Sequence, residues 1–279
     1  MNFMNLPEEF ASKDSKYYIL PIGYEGNLTG GKGTSKGPSE IIKSSYQLEY
    51  YDEQFNIEPY KRGIHILQNL SADTPEEITE KISEEVSKHK GKFIISLGGD
   101  HSISMGIVRG LEKTHDNFSV IVFDAHPDLF YSWNNSKLNH RCASFYISSK
   151  HQTTLLGIRS MDKDELEIVK NNNIHLIYSH ENIKKSLLEI LPKLENKVYI
   201  SIDVDAFDPS FIRNTGTPEP GGFFWKEFIE LLETIFKNKN VIGVDIVEFS
   251  PNENFESESY SLSKLIYKIM ALNETFIYK

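Results

Sequence analysis

Apolar residues fall in short, nearly unbroken runs set between turn residues and stretches with a helical repeat. The runs cover residues 17–23, 93–98, 119–125, 153–158, 175–178, 198–204 and 241–247, and Ile, Val and Leu dominate them. A short run apolar on both alternating faces is the pattern of a strand covered on both sides. Between the runs, residues 38–45 begin with Pro38, and residues 74–90 begin Thr74-Pro75-Glu76-Glu77. The second opening offers an N-cap hydroxyl, a proline at the first helical position and acids in the first turn. Residues 162–171 open on Asp162, a further cap candidate, and residues 181–194 and 225–238 carry the 3.6-residue repeat. Strands alternating with helices predict an α/β fold: a mostly parallel sheet between two layers of helices.

The 279 residues allow one large domain or two small ones. A chain this long buries about three quarters of its unfolded surface. No internal repeat or low-complexity linker divides it, so a single domain over residues 1–279 is expected. The longest polar, irregular stretches are residues 25–37, 131–139 and 208–222. Loops of such length tend to be functional in compact domains. Gly26, Gly30, Gly31, Gly33 and Gly37 do not form a Gly-x-Gly-x-x-Gly cradle, and no Gly-Lys-Ser/Thr follows, so the first stretch reads as a rim loop rather than a nucleotide site. A formal net charge of −10 argues against sequence-independent nucleic-acid binding, which needs a basic patch. The one cysteine, Cys142, permits no internal disulfide and reads as a small buried hydrophobe. The first residues lack a basic segment followed by an apolar core, and no run reaches the ~20 apolar residues of a membrane span. A cytoplasmic location, with no membrane or nucleic-acid partner, is expected.

Three of the apolar runs lead into potential metal ligands. His101 lies in Gly98-Gly99-Asp100-His101-Ser102, Asp124, His126 and Asp128 follow the third run, and Asp203 and Asp205 end the sixth. In an extended chain, positions i, i+2 and i+4 share a face, so each set can converge. Either aspartate motif alone also fits a solvated turn. All three segments, however, stand at the carboxyl ends of predicted strands, where open parallel sheets bind ligands. Four gathered carboxylates would repel and raise one another's pKa unless cations neutralised them. Mixed carboxylate and imidazole donors suit Mn, Fe, Co or Zn.

Gly98-Gly99-Asp100-His101-Ser102, Asp124-Ala125-His126-Pro127-Asp128, the run from Ser201 to Ser210 and Gly216-Thr217-Pro218-Glu219-Pro220-Gly221-Gly222 closely resemble motifs of the ureohydrolases. That family includes arginase, agmatinase, guanidinobutyrase and formiminoglutamase. The likeness runs from about Ile19 to Pro251. It implies a three-layer α/β/α fold with about eight strands, two Mn²⁺ ions per chain, release of urea from a guanidino substrate, and a homo-oligomer, commonly a trimer or hexamer. By matched position, His101, Asp124, Asp128 and Asp203 would hold one ion, and Asp124, His126, Asp203 and Asp205 the other. Asp128 would also aim the nucleophile. His140 matches the family's proton-shuttling histidine, and Glu248 matches the acid that holds the guanidinium. The chemistry is consistent: a delocalised guanidinium carbon is a poor electrophile, two ions about 3.5 Å apart supply hydroxide at neutral pH, and the departing amine needs a proton.

The substrate is less legible. Arginases carry an Asn two residues past the Asp-x-His-x-Asp motif, and Phe130 stands there. The twelve-residue step from Asp128 to His140 looks like agmatinase, yet residues 131–138 hold no acid, and Arg141 follows the histidine. An arginine facing the pocket would oppose a dication such as agmatine. Turned away, it would be a structural ion pair. Agmatine is the leading expectation, with arginine and guanidino acids such as guanidinobutyrate behind it. A formiminoglutamase, a non-catalytic metal-binding relative and a single-zinc deacetylase-like hydrolase are further alternatives.

Overall fold

The computed structural model describes residues 2–26, 32–252, 254 and 256–276. Gly30 and Gly31 of the first loop lie outside the described residues. Among those described, eight parallel strands form one sheet in the order β2-β1-β3-β8-β7-β4-β5-β6. The strands are β1 (Tyr17–Pro21), β2 (Ile64–Ile66), β3 (Phe93–Leu97), β4 (Ser119–Phe123), β5 (Thr153–Ile158), β6 (Ile174–Tyr178), β7 (Lys197–Asp203) and β8 (Asn240–Val247). The helices are α1 (Gly37–Ser44), α2 (Pro75–Lys88), α3 (Ile103–Glu112), α4 (Ala143–Ser148), α5 (Glu165–Asn171), α6 (Ile183–Ile190), α7 (Trp225–Asn238) and α8 (Glu256–Thr275).

Alternate strand residues enter two separate cores, so each run is apolar throughout. Ile121 and Phe123 of β4 pack on the side of α1, α6, α7 and α8. Val120 and Val122 pack on the opposite side, with α2 and α3. The expected three-layer α/β/α arrangement is therefore present.

Local chemistry sets the element ends. The Thr74 hydroxyl accepts a hydrogen bond from the Glu77 amide (3.2 Å), with Pro75 opening α2. Asp162 lies before α5 rather than in it, and its amide donates to Glu165 (2.8 Å). The expected helix over residues 181–194 gives way after Ile190 to a 3-10 turn at Leu191–Lys193, because Pro192 cannot continue the ladder.

Four elements were absent from the sequence reading. β2 is a three-residue edge strand, too short to carry a pattern. α3 contains Gly106 and Gly110, poor helix formers that let α2 approach closely. A Cβ at Gly110 would stand 2.6 Å from the Cβ of Val86. α4 is barely more than a turn, and α8 is buried on much of its circumference, which blurs its amphipathic repeat. Among the described residues no helix is long and apolar enough to cross a membrane.

Candidate metal centre

β3, β8, β7 and β4 are consecutive in the sheet, and their carboxyl ends carry His101, Glu248, Asp203 and Asp124 respectively. After β7 the chain crosses back to β8, whereas after β4 it moves the other way to β5. The β7–β4 gap is thus a topological switch point, the crevice where open α/β sheets bind ligands.

The aspartates converge through turns rather than through strand alternation. Asp124 follows the end of β4, and its Oδ1 accepts from the His126 amide (2.6 Å). Asp203 repeats the device: its Oδ1 accepts from the Asp205 amide (2.9 Å) as the chain enters a 3-10 turn at Val204–Ala206. Such Asx turns reverse direction within two residues. Asp128 then takes φ 50°, a left-handed conformation that aspartate tolerates better than most residues. The extended-chain geometry expected for both segments is therefore replaced by tight turns, with the same convergence.

His101 Nδ1 faces three carboxylates: Asp124 Oδ2 at 3.2 Å, Asp128 Oδ2 at 3.2 Å and Asp203 Oδ2 at 3.4 Å. His126 Nδ1 lies 2.9 Å from Asp205 Oδ2 and 3.7 Å from Asp124 Oδ1. Two donor groups of metal-binding size result, His101–Asp124–Asp203 and Asp124–His126–Asp205, sharing Asp124. All six expected ligands come together.

The electrostatics are those of a cage built for cations. Burial disfavours charge on His101, but its three facing carboxylates outweigh it and push the pKa well above the usual range. Burial likewise opposes protonation of His126, yet Asp124 and Asp205 push it up to about 12. Burial, and then Asp205, raise Asp124 to about 6. Burial, with Asp205 and Asp124, raises Asp203 well above the carboxylate range. His101 Nδ1 and Asp124 Oδ2 are buried without a hydrogen bond, although neighbouring polar atoms surround them. Buried polar atoms in native proteins nearly always find a partner. A cation between these oxygens and nitrogens supplies one, so the residues present fit a metal pair.

Glu248 also takes a left-handed φ, 64°, and its Oε1 accepts from the His101 amide (2.8 Å). Burial, then Asp203 and Asp100, raise its pKa well above normal. His140 begins a 3-10 turn at His140–Cys142 that Asn139 caps by accepting from the Arg141 amide. Burial lowers the His140 pKa, while Asp128 and Asp100 push the other way. His140 lines a cavity of about 340 Å³ with Tyr24, Glu25, Asp73, Asp100, Ser136 and Asn139 among its walls. Gly99 fixes that wall: a Cβ there would lie 1.7 Å from the Tyr24 carbonyl oxygen.

The sequence reading missed the supports behind these residues. His101 Nε2 meets Ser201 Oγ at 3.0 Å, and Ser201 Oγ donates to Asp245 Oδ1 (2.7 Å). Ser104 (2.8 Å) and Tyr199 donate to the other oxygen of Asp245. Ser201 and Asp245 are cross-strand partners in β7 and β8. Polar residues within otherwise apolar strands were the available signal. Arg159 is the other support. Its guanidinium donates to the carbonyls of Gly157 (3.1 Å), Asp205 (2.6 Å), Glu219 (2.9 Å) and Pro220 (3.1 Å), pinning the 208–222 loop against the Asp205 turn.

Arg141 is turned aside. Its guanidinium stacks over Phe130 (4.2 Å) and Trp133 (4.1 Å) and pairs with Asp162 (3.2 Å). The cavity beside His140 has no Lys or Arg among its described lining residues. Three of the other histidines lie on other contacts. His65 bonds the Ala11 carbonyl, His89 pairs with Glu85, and His151 stacks on Phe118. Cys142 is buried, and burial pushes its thiol up to about 11.

Comparison with known proteins agrees with this geometry. The arginase family profile matches residues 15–271. An N(1)-aminopropylagmatine ureohydrolase of Thermus thermophilus is 35% identical over 94% of this chain and 94% of its own length. An agmatinase of Pyrococcus horikoshii is 31% identical, covering 94% of this chain and 93% of its own. The crystal structure of the agmatine ureohydrolase of Thermoplasma volcanium superposes with a TM-score of 0.86 at 28% identity, over 95% of this chain and 92% of that one.

Proposed function

The chain belongs to the arginase family and is a hydrolase that cleaves a guanidino C–N bond to release urea; from that premise we propose that its substrate is a guanidinoalkylamine, agmatine or an aminopropyl-extended agmatine, cleaved at a pair of Mn²⁺ ions. The observation that carries the substrate reading is the cavity beside His140. Glu25, Asp73 and Asp100 line it, and Arg141, next to His140 in the chain, is stacked and paired elsewhere. A low-dielectric cleft of one sign favours a ligand of the other. An ammonium at the far end is matched there, and a carboxylate is opposed. The relatives named for agmatine and aminopropylagmatine support the same class.

His101, Asp124, Asp128 and Asp203 would hold one ion, and Asp124, His126, Asp203 and Asp205 the other. Bound there, two divalent ions lower the pKa of water so that a strong oxygen nucleophile exists at neutral pH. Glu248 accepts hydrogen bonds from the guanidinium and fixes its carbon against the centre. Asp128 accepts a hydrogen bond from the attacking oxygen and orients it. His140, neutral near pH 7 because burial disfavours its charge, takes up the proton released on attack. It then gives that proton to the departing nitrogen as the C–N bond breaks. The oxygen remains on carbon as urea, and the free amine leaves. The whole chain would act as one such domain.

The test compares kcat/KM for agmatine and 4-guanidinobutyrate at low salt, with Asp73→Asn beside the natural chain. The natural chain should favour agmatine by about tenfold or more, and Asp73→Asn should narrow the ratio, since tenfold is ~1.4 kcal/mol, the scale of one partly screened charge. A natural preference for guanidinobutyrate would refute the reading.

A further inference from the structure

Phe130, which stands where arginases carry an Asn, and Arg141, which follows His140, touch each other. The Arg141 guanidinium lies 4.2 Å from the Phe130 ring centroid and 4.1 Å from that of Trp133. The two rings meet edge to face at 5.0 Å. The backbone closes the same unit, because the Phe130 amide donates to the Arg141 carbonyl (3.0 Å). Asp162 completes it from outside.

The segment held this way is not irregular. Trp133 and Ser136 exchange both backbone hydrogen bonds (2.8 and 2.9 Å) around Asn134 and Asn135. Those asparagines take φ 48° and 61°, the signature of a type I′ turn. Trp133 therefore stands at the base of a tight hairpin, with its ring under Arg141. Beyond the turn, Ser136, Leu138 and Asn139 form one wall of the cavity that reaches His140. Arg141 itself is not among the lining residues.

We propose that Arg141 is a positioning residue for the far end of the substrate: clamped by Phe130 and Trp133, it locks the 130–139 hairpin as a preformed cavity wall and acts through that wall rather than by its charge. The inference rests on the reading that the substrate's far end lies in this cavity. A planar guanidinium can lie against two adjoining rings and still pair at its edge. A lysine ammonium keeps the charge but not that geometry, so the exchange is not conservative at a stacked site. A preformed wall lowers the ordering cost of binding, so its loss falls on KM.

The experiment uses the Mn²⁺-loaded chain of residues 1–279 with Arg141→Ala, Arg141→Lys, Trp133→Leu and the double variant Arg141→Ala/Trp133→Leu. Kinetics are read on agmatine and on 1-butylguanidine, which lacks the far-end amine. KM for agmatine should rise about tenfold in Arg141→Ala with kcat within about twofold, the scale of a well-formed cation–π contact. That rise should exceed the rise for butylguanidine at least about fivefold. Arg141→Lys should resemble Arg141→Ala, and the double variant should be no worse than about twofold beyond the poorer single one. Hydrogen exchange at the Trp133 and Ser136 amides should quicken in Arg141→Ala, or in Trp133→Leu if the first does not fold, with β4 amides unchanged. Near-natural KM in Arg141→Lys, additive losses in the double variant, or unchanged exchange in the hairpin would each overturn the clamp. Failure of the natural chain to cleave both agmatine and N(1)-aminopropylagmatine would instead refute the substrate reading, and the exchange measurement would still decide the clamp.

Discussion

Asp245→Asn tests how the protein presents His101 to a metal. The carboxylate of Asp245 is fully buried and accepts Ser201 on one oxygen, and Ser104 and Tyr199 on the other. An amide of the same shape has one acceptor lobe and one donor lobe. The two donors, Ser104 and Tyr199, claim the acceptor, so the NH₂ turns to Ser201. The Ser201 hydroxyl must then accept from it, and its own proton swings toward His101 Nε2, 3.0 Å away. The imidazole loses its Nε2 proton and carries one on Nδ1, the nitrogen that faces Asp124, Asp128 and Asp203. A protonated nitrogen cannot bind a metal. Removing such a support weakens metal affinity 10–100-fold, or about 1.4–2.8 kcal/mol. Only the ion held through His101 should suffer, because His126 and Asp205 lie outside this network. Titration of metal-free protein with Mn²⁺, following free Mn²⁺ by electron paramagnetic resonance, separates the two affinities. Thermal unfolding of the metal-free variant controls for the fold. Two affinities each within about twofold of the natural chain, in a folded variant, would show that Asp245 does not set the protonation of His101.

His140→Ala should retain both ions and lose about 10²–10⁴ in kcat, the usual scale of general acid–base catalysis; loss of an ion, by elemental analysis, would make His140 a ligand instead. Asp128→Asn should keep its stability, because asparagine also tolerates φ 50°, while kcat falls by orders of magnitude; near-natural turnover with metal bound would remove Asp128 from its role. Mn²⁺ binding near pH 7 should release protons, because His126, held at about 12 by Asp124 and Asp205 against the effect of burial, is protonated in the metal-free fold. In the metal-free fold a pKa raised from 6.5 to about 12 contributes stability that is full below pH 6.5, declines above it and is gone beyond about 12, so stripped protein keeps most of this contribution between pH 6 and 8. Calorimetry in buffers of different ionisation enthalpy measures the release, and identical binding heats would contradict it.

The convergence of these side chains was legible because chemistry and position coincide in the chain: Asp124, His126, Asp128, Asp203 and Asp205 each follow an apolar run closely enough to be placed at a strand's carboxyl end. Their local geometry was not legible. An Asp-x-His segment reads equally as extended chain or as an Asx turn, and only the amide partners distinguish the two. The supports were hidden for a different reason. Ser201, Asp245 and Ser104 act through contacts between residues far apart in sequence, and single polar residues in apolar segments do not announce a partner. Arg141 shows the same limit. Its charge was evident, but the choice between facing the pocket and being stacked depended on Phe130 and Trp133 folding back over it. α8 escaped notice because helices covered on several sides lose the one-sided repeat that marks them.

On the reading above, this six-residue centre hydrolyses a guanidino group with two metal ions. The direct measurement is urea released from agmatine by one preparation stripped with chelator and then titrated with Mn²⁺, with bound metal counted at each point. Activity should be absent in the stripped protein and rise to a plateau at two ions per chain, with one urea formed per putrescine. Urea release that survives stripping, or that is complete at one ion per chain, would contradict the account.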